Sequence, residues 1–465
     1  MQRIWLGFFS VGVAFMSELA PAKDLSKAPP KFSYLGKDAV FADFSRVDLE
    51  MTFDVSKAKA VGHATIEFEV AQAGMPIFDL IPNPVQVSVD GQDLRSTEIF
   101  LVKDPDRQSV LRIAGVEVQP GAKHTLEISY DISDEVTFSR DSVAAGFFMS
   151  DLSDRQYWEQ YAPTNYEFDQ YAQSMTVEIV GTEMAHELFV NGSVTDLGFN
   201  KWRIDYADYF TTSSFYFHLV YKDRFVVERS TYQGVAATIP LTVYSSSQSN
   251  VSRGMTNLKK YLAELEGTYG AFAHSTFTAY ITDSGGGMEY CGATVTSLGA
   301  LGHETTHSWF ARGMMPANGN AGWIDEAIAS WRDDGYPRGN GAPRTPRILG
   351  GFSPYRRFTT MDAYSYGADL MADFDGMLAS TSLGGLKNML KETFAGFQRQ
   401  TITVPMFQAR LEQSLGRSMQ QFFDKYVYGN NILNRIPGAS PEPGYDVDWS
   451  RHPRPYTKEE MREIR

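Results

Sequence analysis

The period of the apolar residues changes part-way along this chain of 465 residues. Up to about residue 227, segments such as 47–55 (VDLEMTFDV) and 63–71 (HATIEFEVA) alternate apolar and polar residues, as half-buried strands do. From Ala327 onward the apolar residues mostly follow a helical period. The chain is therefore predicted to be an α+β, multidomain protein, in which a large antiparallel β region precedes a mainly helical one.

Strand and helix patterns alternate between these two regions. The segments 238–247 (TIPLTVYSSS) and 277–284 (FTAYITDS) are strand-like, and they flank a helical pattern at 257–270. A third strand-like run, at 287–298 (GMEYCGATVTSL), follows them. This run leads directly into a predicted helix that carries the segment HETTH.

The segment HETTH contains His303, Glu304 and His307, and Glu326 follows after eighteen intervening residues. Residues four apart on a helix lie on one face, so both histidines can direct a ring nitrogen at one ion. Glu304 would take a proton from a water that the metal activates, and Glu326 would supply a third ligand from a second helix. A chance HExxH on an amphipathic helix is the alternative, and the spacing of Glu326 argues against it. We predict one Zn²⁺ per chain, although other divalent metals can bind a His₂Glu site.

The amino terminus has the layout of an export signal. Arg3 precedes an apolar stretch at 4–16, and Ala20-Pro21-Ala22 is a cleavage site of the A-x-A type. A membrane anchor is the alternative, but this stretch is short for a bilayer span. We predict a signal peptide at 1–22, cleavage near Ala22, and a periplasmic or secreted protein without stable membrane insertion.

Charge and cysteine content exclude further classes. The formal net charge is −14 and no basic stripe is visible, which argues against a nucleic-acid partner. The chain has one cysteine, Cys291, so an internal disulfide is impossible and stability must come from packing and metal. We expect Cys291 to be a small buried apolar residue rather than a ligand or nucleophile.

Three further motifs surround the HETTH segment: Gly286-Gly287-Met288-Glu289-Tyr290, His307-Ser308-Trp309-Phe310 and Trp323-Ile324-Asp325-Glu326-Ala327. They resemble the G-x-M-E-N, H-x-W-F and W-L-N-E-G motifs of the aminopeptidase N family of zinc exopeptidases. The resemblance extends over most of the chain and is most specific between residues 286 and 326. Tyr290 and Asp325 depart from the family pattern, since each stands where the family has Asn.

The resemblance implies a domain layout. An N-terminal β saddle domain would occupy 23–230 and a thermolysin-like, mainly helical catalytic domain would occupy 231–435. A Pro-rich tail at 436–465 would follow. We expect a short form without the large C-terminal helical domain that usually covers the active site of this family, and therefore a shallower, more open cleft.

The resemblance also implies roles for residues of the glycine-rich strand. Glu289 would bind the free α-ammonium group of the substrate through a charge-assisted hydrogen bond. The strand would lie along an extended peptide, since glycine backbone allows a close approach. The residues of this substrate-binding strand are Gly286, Gly287, Met288 and Glu289.

Two tyrosines compete for the role of oxyanion donor. The segment 364–367 (YSYG) falls where the family has Y-x-K-G, so Tyr364 would donate its hydroxyl hydrogen to the developing oxyanion. Tyr366 is the rival. Residues two apart on a helix face different ways, so only one of them can reach the metal.

These features together predict a zinc aminopeptidase that removes N-terminal residues from peptides with a free N-terminus. A zinc endopeptidase with an open cleft is one alternative, because a missing roof would admit longer chains. A non-catalytic, peptidase-like binding protein is the other, with the β region as its working surface. Against this last alternative, the predicted ligands and Glu304 are all intact.

Overall fold

A computed structural model of the protein describes residues 28–103, 110–146, 158–166, 169–283, 285–317, 320–351 and 359–429. The predicted signal peptide (1–22) and the predicted C-terminal tail (436–465) lie outside these ranges.

Strands dominate the first half of the chain. The first nine are β1 Phe32–Tyr34, β2 Lys37–Asp54, β3 Lys59–Val70, β4 Met75–Asp79, β5 Pro84–Val89, β6 Gln92–Leu94, β7 Ile99–Lys103, β8 Val110–Ala114 and β9 His124–Asp131. The next seven are β10 Thr137–Phe138, β11 Val143–Gly146, β12 Ala172–Val180, β13 His186–Val190, β14 Ser193–Gly198, β15 Lys201–Asp205 and β16 Phe217–Tyr221. Strands β1–β16 are called the β region below.

Helices and a smaller set of strands form the rest of the described chain, called the helical region below. Its strands are β17 Val226–Gln233, β18 Thr238–Ser245, β19 Phe277–Thr282, β20 Gly287–Tyr290, β21 Ala293–Ser297, β22 Met315–Pro316 and β23 Thr401–Ile402. Its helices are α1 Gln248–Tyr269, α2 Leu301–Thr306, α3 Gly322–Asp333, α4 Ser365–Leu378, α5 Leu386–Phe397, α6 Val404–Leu415 and α7 Gln420–Tyr426. The prediction of a multidomain chain with extensive β-sheet and later helices is confirmed. Within the described ranges, none of the helices combines the length and the hydropathy that a membrane crossing requires.

The β region is built on a twelve-stranded sheet in which β14-β15-β12-β2-β3-β9-β5-β6 are neighbours in that order. Of the remaining strands, β1 and β4 pair with the long strand β2, β8 pairs with β4, and β7 pairs with β8. Side chains alternate between buried and more exposed along β3, in keeping with its sequence pattern. The sheet is mainly antiparallel as predicted, but β2 pairs in parallel with both β12 and β4.

A five-stranded sheet, in the order β17-β18-β19-β21-β20, supports the helical region. Strand β20 lies at its edge and pairs antiparallel with β21. The tight connection between them is made by Gly292, whose φ of 63° lies in the left-handed region that favours glycine. The strand-like run predicted at 287–298 is therefore a hairpin, and its edge strand carries Glu289.

The core of the helical region fixes the positions of α2 and α3. Helix α1 packs against β18, β19 and α2, and it begins at Ser247, whose hydroxyl accepts a hydrogen bond from the backbone N–H of Asn250. Trp309, Trp323 and Trp331 are fully buried in this core. Their large apolar surfaces hold α3 and the end of the α2 segment in one arrangement.

The two regions share part of their core. Cys291 and Met315 belong to the helical region but pack into the hydrophobic cluster of the twelve-stranded sheet. The side-chain amide of Asn191 donates to the carbonyl oxygens of Ser214 and Cys291, each at 2.7 Å. The turn that follows β20 is therefore held to the β region, while β20 itself pairs with β21.

Candidate active site

The α2 segment presents the two histidines on one face. Helix α2 ends at Thr306, but His307 keeps helical dihedral angles, with φ −60° and ψ −18°. The ring centroids of His303 and His307 are 4.9 Å apart. The i, i+4 relationship expected from HETTH is therefore present, and both imidazoles face the same point.

Glu326 reaches the same point from α3. Its Oε2 atom lies 3.1 Å from His303 Nε2 and 3.5 Å from His307 Nε2. One potential ligand atom from each of the three residues lies within 4.8 Å of the others. Two imidazole nitrogens and one carboxylate oxygen are the donor set of many catalytic zinc sites, which keep a fourth position open. These residues therefore fit a zinc ion.

Both imidazoles are oriented by contacts of their other nitrogen. His303 Nδ1 lies 2.7 Å from Asp333 Oδ2, and His307 Nδ1 lies 3.2 Å from the carbonyl oxygen of Phe310. Such contacts fix the ring and leave Nε2 for the metal. Asp333 was not predicted from the sequence. Its position two helical turns after Glu326, on the same face of α3, is a signal that could have indicated it.

Glu304 lies beside the candidate ligands and packs against β20. A Cβ atom on Gly287 would come within 2.5 Å of Glu304 Cγ, Cδ and Oε1, so the absence of a side chain there makes room for this carboxylate. Burial raises the pKa of Glu304 to about 8; the adjacent His307 opposes this shift and Glu289 adds to it. Glu304 is thus a buried carboxylate whose pKa lies in the range that suits a general base near neutral pH.

Without a bound metal, the surroundings of both histidines favour their protonated forms. Burial lowers the pKa of His303, but hydrogen bonds to Asp333 and Glu326 outweigh burial and raise this pKa to about 9. The pKa of His307 is also raised, because the opposing effect of burial is outweighed by the nearby carboxylates of Glu289 and Glu326. Metal ligation requires neutral imidazoles, so metal binding would release these protons.

Glu289 points from β20 toward the same centre and forms a buried ion pair. Arg312 Nη2 lies 2.9 Å from Glu289 Oε1, and the two side chains are 5% and 7% exposed. Potential ligand atoms of Glu289, Glu304 and His307 lie within 4.8 Å of one another. Arg312 was missed in the sequence analysis. Its signal was a lone cation five positions after His307, within the otherwise largely apolar segment SWFARGMM.

An open cleft of about 710 Å³ connects these groups. Its wall includes the predicted strand residues, the candidate base, two of the candidate ligands and one tyrosine: Gly286, Gly287, Met288, Glu289, Glu304, His303, Glu326 and Tyr364. The ring of Tyr364 lies nearly parallel to that of His303, with centroids 6.1 Å apart. Tyr366 instead donates its hydroxyl hydrogen to the carbonyl oxygen of Tyr426 at 3.2 Å. Of the two competing tyrosines, the cleft is therefore lined by Tyr364.

Three further residues of this part of the chain have different surroundings. Asp325 is buried with its Oδ2 atom 3.6 Å from His307 Nδ1, and burial raises its pKa well above the usual range. Ser330 lines the cleft, one turn beyond Glu326. Cys291 is buried, and its thiol lies 3.4 Å from the carbonyl oxygen of Arg312.

Known structures share this architecture, although the chain matches no family model and no curated protein sequence. Aminopeptidase A from Legionella pneumophila, in complex with aspartic acid, is similar with a TM-score of 0.64 and 14% identity. That match covers 83% of this chain and 49% of the Legionella chain, so this chain spans about half the length of that protein.

Two structures of M1 zinc metallopeptidase variants are similar along nearly their whole length. One, described as a two-domain M1 zinc metallopeptidase, is bound to L-arginine, and the other, from Deinococcus radiodurans, is bound to a Tyr-Ser-Ala substrate. Their TM-scores are 0.59 and 0.60, both at 14% identity, over 83% and 84% of this chain and 94% and 95% of theirs. The chain shares its fold with zinc metallopeptidases.

Proposed function

We propose that this protein is a zinc aminopeptidase of the aminopeptidase N type, which removes the N-terminal residue from peptides. One observation carries the proposal. Around one open cleft lie two of the three candidate ligands, a buried carboxylate with a raised pKa (Glu304) and a second carboxylate (Glu289), and the third ligand, His307, is buried beside them. A metal site with an adjacent base supports hydrolysis, and a further carboxylate supports recognition of an amine.

The similar solved structures support the same proposal. They contain aspartic acid, L-arginine and a Tyr-Ser-Ala peptide, which are molecules with a free α-amine. A two-domain layout is also supported, because nearly the whole of a two-domain metallopeptidase is covered by this chain. We therefore propose a β saddle domain at 23–230 and a thermolysin-like catalytic domain at 231–435.

In this proposal, the site residues have separate roles in peptide hydrolysis. Zinc held by His303, His307 and Glu326 would supply a Lewis acid that polarises the scissile carbonyl and lowers the pKa of water. Glu304 takes the proton of the attacking water and passes it to the leaving amine. Tyr364 donates its hydroxyl hydrogen to the developing oxyanion.

Substrate binding uses the edge strand β20. An extended peptide that adds alongside this edge is held by main-chain hydrogen bonds, which are independent of its sequence. The exposed backbone at Gly286 and Gly287 lets it approach closely. Glu289 then accepts a hydrogen bond from the N-terminal ammonium group, which fixes the position of the scissile bond relative to Glu304.

The function is tested by Glu304→Gln with a panel of amino-acid amides that have free N-termini. We expect turnover to fall by roughly 10²- to 10⁴-fold, because the proton acceptor is lost. Zinc content should be retained, since the three ligands are unchanged. Glu266→Gln is the matched control, because it neutralises another buried carboxylate that lies outside the cleft. Wild-type turnover by Glu304→Gln would contradict the proposal.

An endopeptidase is the second candidate, and the open cleft favours it, because such a cleft admits longer chains. The comparison of a free peptide with its N-acetylated form decides between the two functions. A strong preference for the free peptide supports the aminopeptidase, and equal cleavage of both peptides would overturn it.

A further inference from the structure

Arg312 is anchored next to the candidate ligand His307. It lies in the loop after α2, and its backbone N–H donates to the carbonyl oxygen of His307 at 2.8 Å. The thiol of Cys291 contacts its carbonyl oxygen at 3.4 Å. The preceding residue, Ala311, has a φ of 130°, which is a strained conformation for a residue with a side chain. These contacts therefore fix the backbone of Arg312, from which its side chain extends, relative to the candidate metal ligands.

The guanidinium group of Arg312 binds both the side chain and the backbone of Glu289. Nη2 donates to Glu289 Oε1 at 2.9 Å, and Nε donates to the backbone carbonyl oxygen of Glu289 at 3.3 Å. Nη1 donates to the hydroxyl of Ser213, which belongs to the β region. A planar guanidinium with three fixed acceptors has little freedom to rotate. It therefore holds the Glu289 carboxylate at a set angle to β20.

Only one oxygen of the Glu289 carboxylate is used in this way. Oε1 accepts from Arg312, whereas no hydrogen bond to Oε2 is formed by the residues that the structure describes. Glu289 lines the cleft. A pair with only a packing role could be replaced by apolar side chains at little cost.

We propose that Arg312 is a positioning residue that orients Glu289, so that Oε2 receives the N-terminal ammonium group of the substrate. This inference rests on the proposed aminopeptidase function. Arg312 does not touch the substrate. It connects the amine acceptor to the loop after His307, and so sets the distance between the substrate N-terminus and the scissile bond. Arg312 thereby contributes to the preference for a free N-terminus.

The test compares zinc-loaded, full-length Arg312→Met with wild type. The substrates are a tripeptide amide with a free N-terminus and the same peptide N-acetylated, and kcat and KM are measured for each. We expect the ratio of kcat/KM between the free and acetylated peptides to fall by roughly 10- to 100-fold, as for other residues that orient a site group. Zinc content should be unchanged. Arg312→Lys keeps the positive charge but loses the planar guanidinium, so its ratio should lie between those of Arg312→Met and wild type.

Arg112→Met is the matched control for the loss of a buried arginine. Arg112 is 3% exposed in the β region, where it donates to the carbonyl oxygens of Leu80 and Ile81. Its replacement should lower stability and leave the peptide ratio unchanged. Ser213→Ala removes one acceptor of the Arg312 guanidinium and gives a milder variant, with a smaller fall in the ratio expected. It tests the inference if Arg312→Met does not fold.

A second arm places Arg312→Met in a Glu289→Gln background. If Arg312 acts through Glu289, the added substitution should leave the peptide ratio unchanged. A wild-type ratio in Arg312→Met, or an equal fall for both peptides, would overturn the inference and leave the aminopeptidase proposal intact. Equal turnover of both peptides by the wild-type protein would instead overturn the aminopeptidase proposal and this inference together.

Discussion

At the scale of single residues, the position of Glu304 depends on Gly287, which has no side chain. Glu304 Cγ, Cδ and Oε1 all lie within 2.5 Å of the point where Gly287 would carry a Cβ atom. Gly287 cannot yield easily, because β20 is paired with β21 and Gly287 is opposite Thr296. A methyl group at this position would therefore displace the carboxylate rather than the strand.

We predict that Gly287→Ala lowers kcat by roughly 10- to 100-fold, because a catalytic group displaced by about 1 Å loses its alignment. Zinc content should stay at the wild-type level, since the ligands lie on other elements. Steady-state kinetics with metal analysis measures both quantities. Gly299→Ala is the control in the same cleft wall, because its Cβ would be 3.8 Å from the nearest atom, Ser297 Oγ. A similar loss in both variants would contradict this role of Gly287.

At this scale, local patterns in the sequence indicate residues whose partners are near in the chain. Helical spacing brings His303 and His307 onto one face, and Glu326 was predicted from its spacing after HETTH. Arg312 is only a lone cation in an apolar segment, and nothing local indicates its acceptor Ser213, which is 99 residues away. A contact of this kind depends on how two regions dock, and no local pattern encodes it.

At the scale of elements, α1 connects the five-stranded sheet to the metal-binding segment. A helical pattern was predicted at 257–270, whereas α1 spans Gln248–Tyr269. The first turns are polar and contain Gly254, so their periodicity is weak. The N-cap at Ser247 and packing against the sheet extend the helix beyond the apolar pattern. The parallel pairing of β2 with β12 was also missed, because alternation does not specify a distant partner.

Two glycines of α1 should respond oppositely to alanine. A Cβ on Gly254 would lie 2.9 Å from Ile281 Cγ1 and 3.1 Å from Val243 Cγ1, so overpacking should lower the free energy of unfolding by about 1–2 kcal/mol. Gly267 is exposed with no atom within 4 Å of its Cβ position, so alanine should raise this free energy by about 0.5–1 kcal/mol. Denaturant unfolding measures both. Equal effects would show that α1 does not pack on the sheet as described.

At the scale of the whole molecule, a bound metal would tie α2 to α3. His303 and His307 belong to the α2 segment, and Glu326 belongs to α3, so zinc would act as a cross-link in the folded protein. A ligand that binds only the folded state raises stability by about 2.7 kcal/mol at a concentration one hundred times its Kd. Chelation should therefore lower the melting temperature, and zinc should restore it.

The stabilisation by zinc should grow with pH. In the metal-free protein the pKa of His303, about 9, exceeds its ordinary value of 6.5. The stability that this shift contributes is fully present below pH 6.5 and is lost as pH rises through 9. The affinity for zinc changes in the opposite direction and rises with pH, because protons compete with zinc for the imidazoles. Thermal unfolding with zinc or with chelator, at about pH 6 and about pH 8.5, measures the difference. Glu304→Gln should keep the zinc effect, and a smaller effect at the higher pH would contradict the prediction.

The shared core of the β region and the helical region limits how this protein can be recombined. Ser213 is supplied by the β region, yet it binds Arg312 beside the metal ligands. Cys291 and Met315 in turn fill the hydrophobic cluster of the twelve-stranded sheet. A chimera that joined the helical region to a foreign β region would lose an acceptor for Arg312 and leave both apolar side chains against an unmatched surface. The two regions therefore depend on each other structurally, and specificity is better changed by substitutions inside the cleft than by exchanging domains.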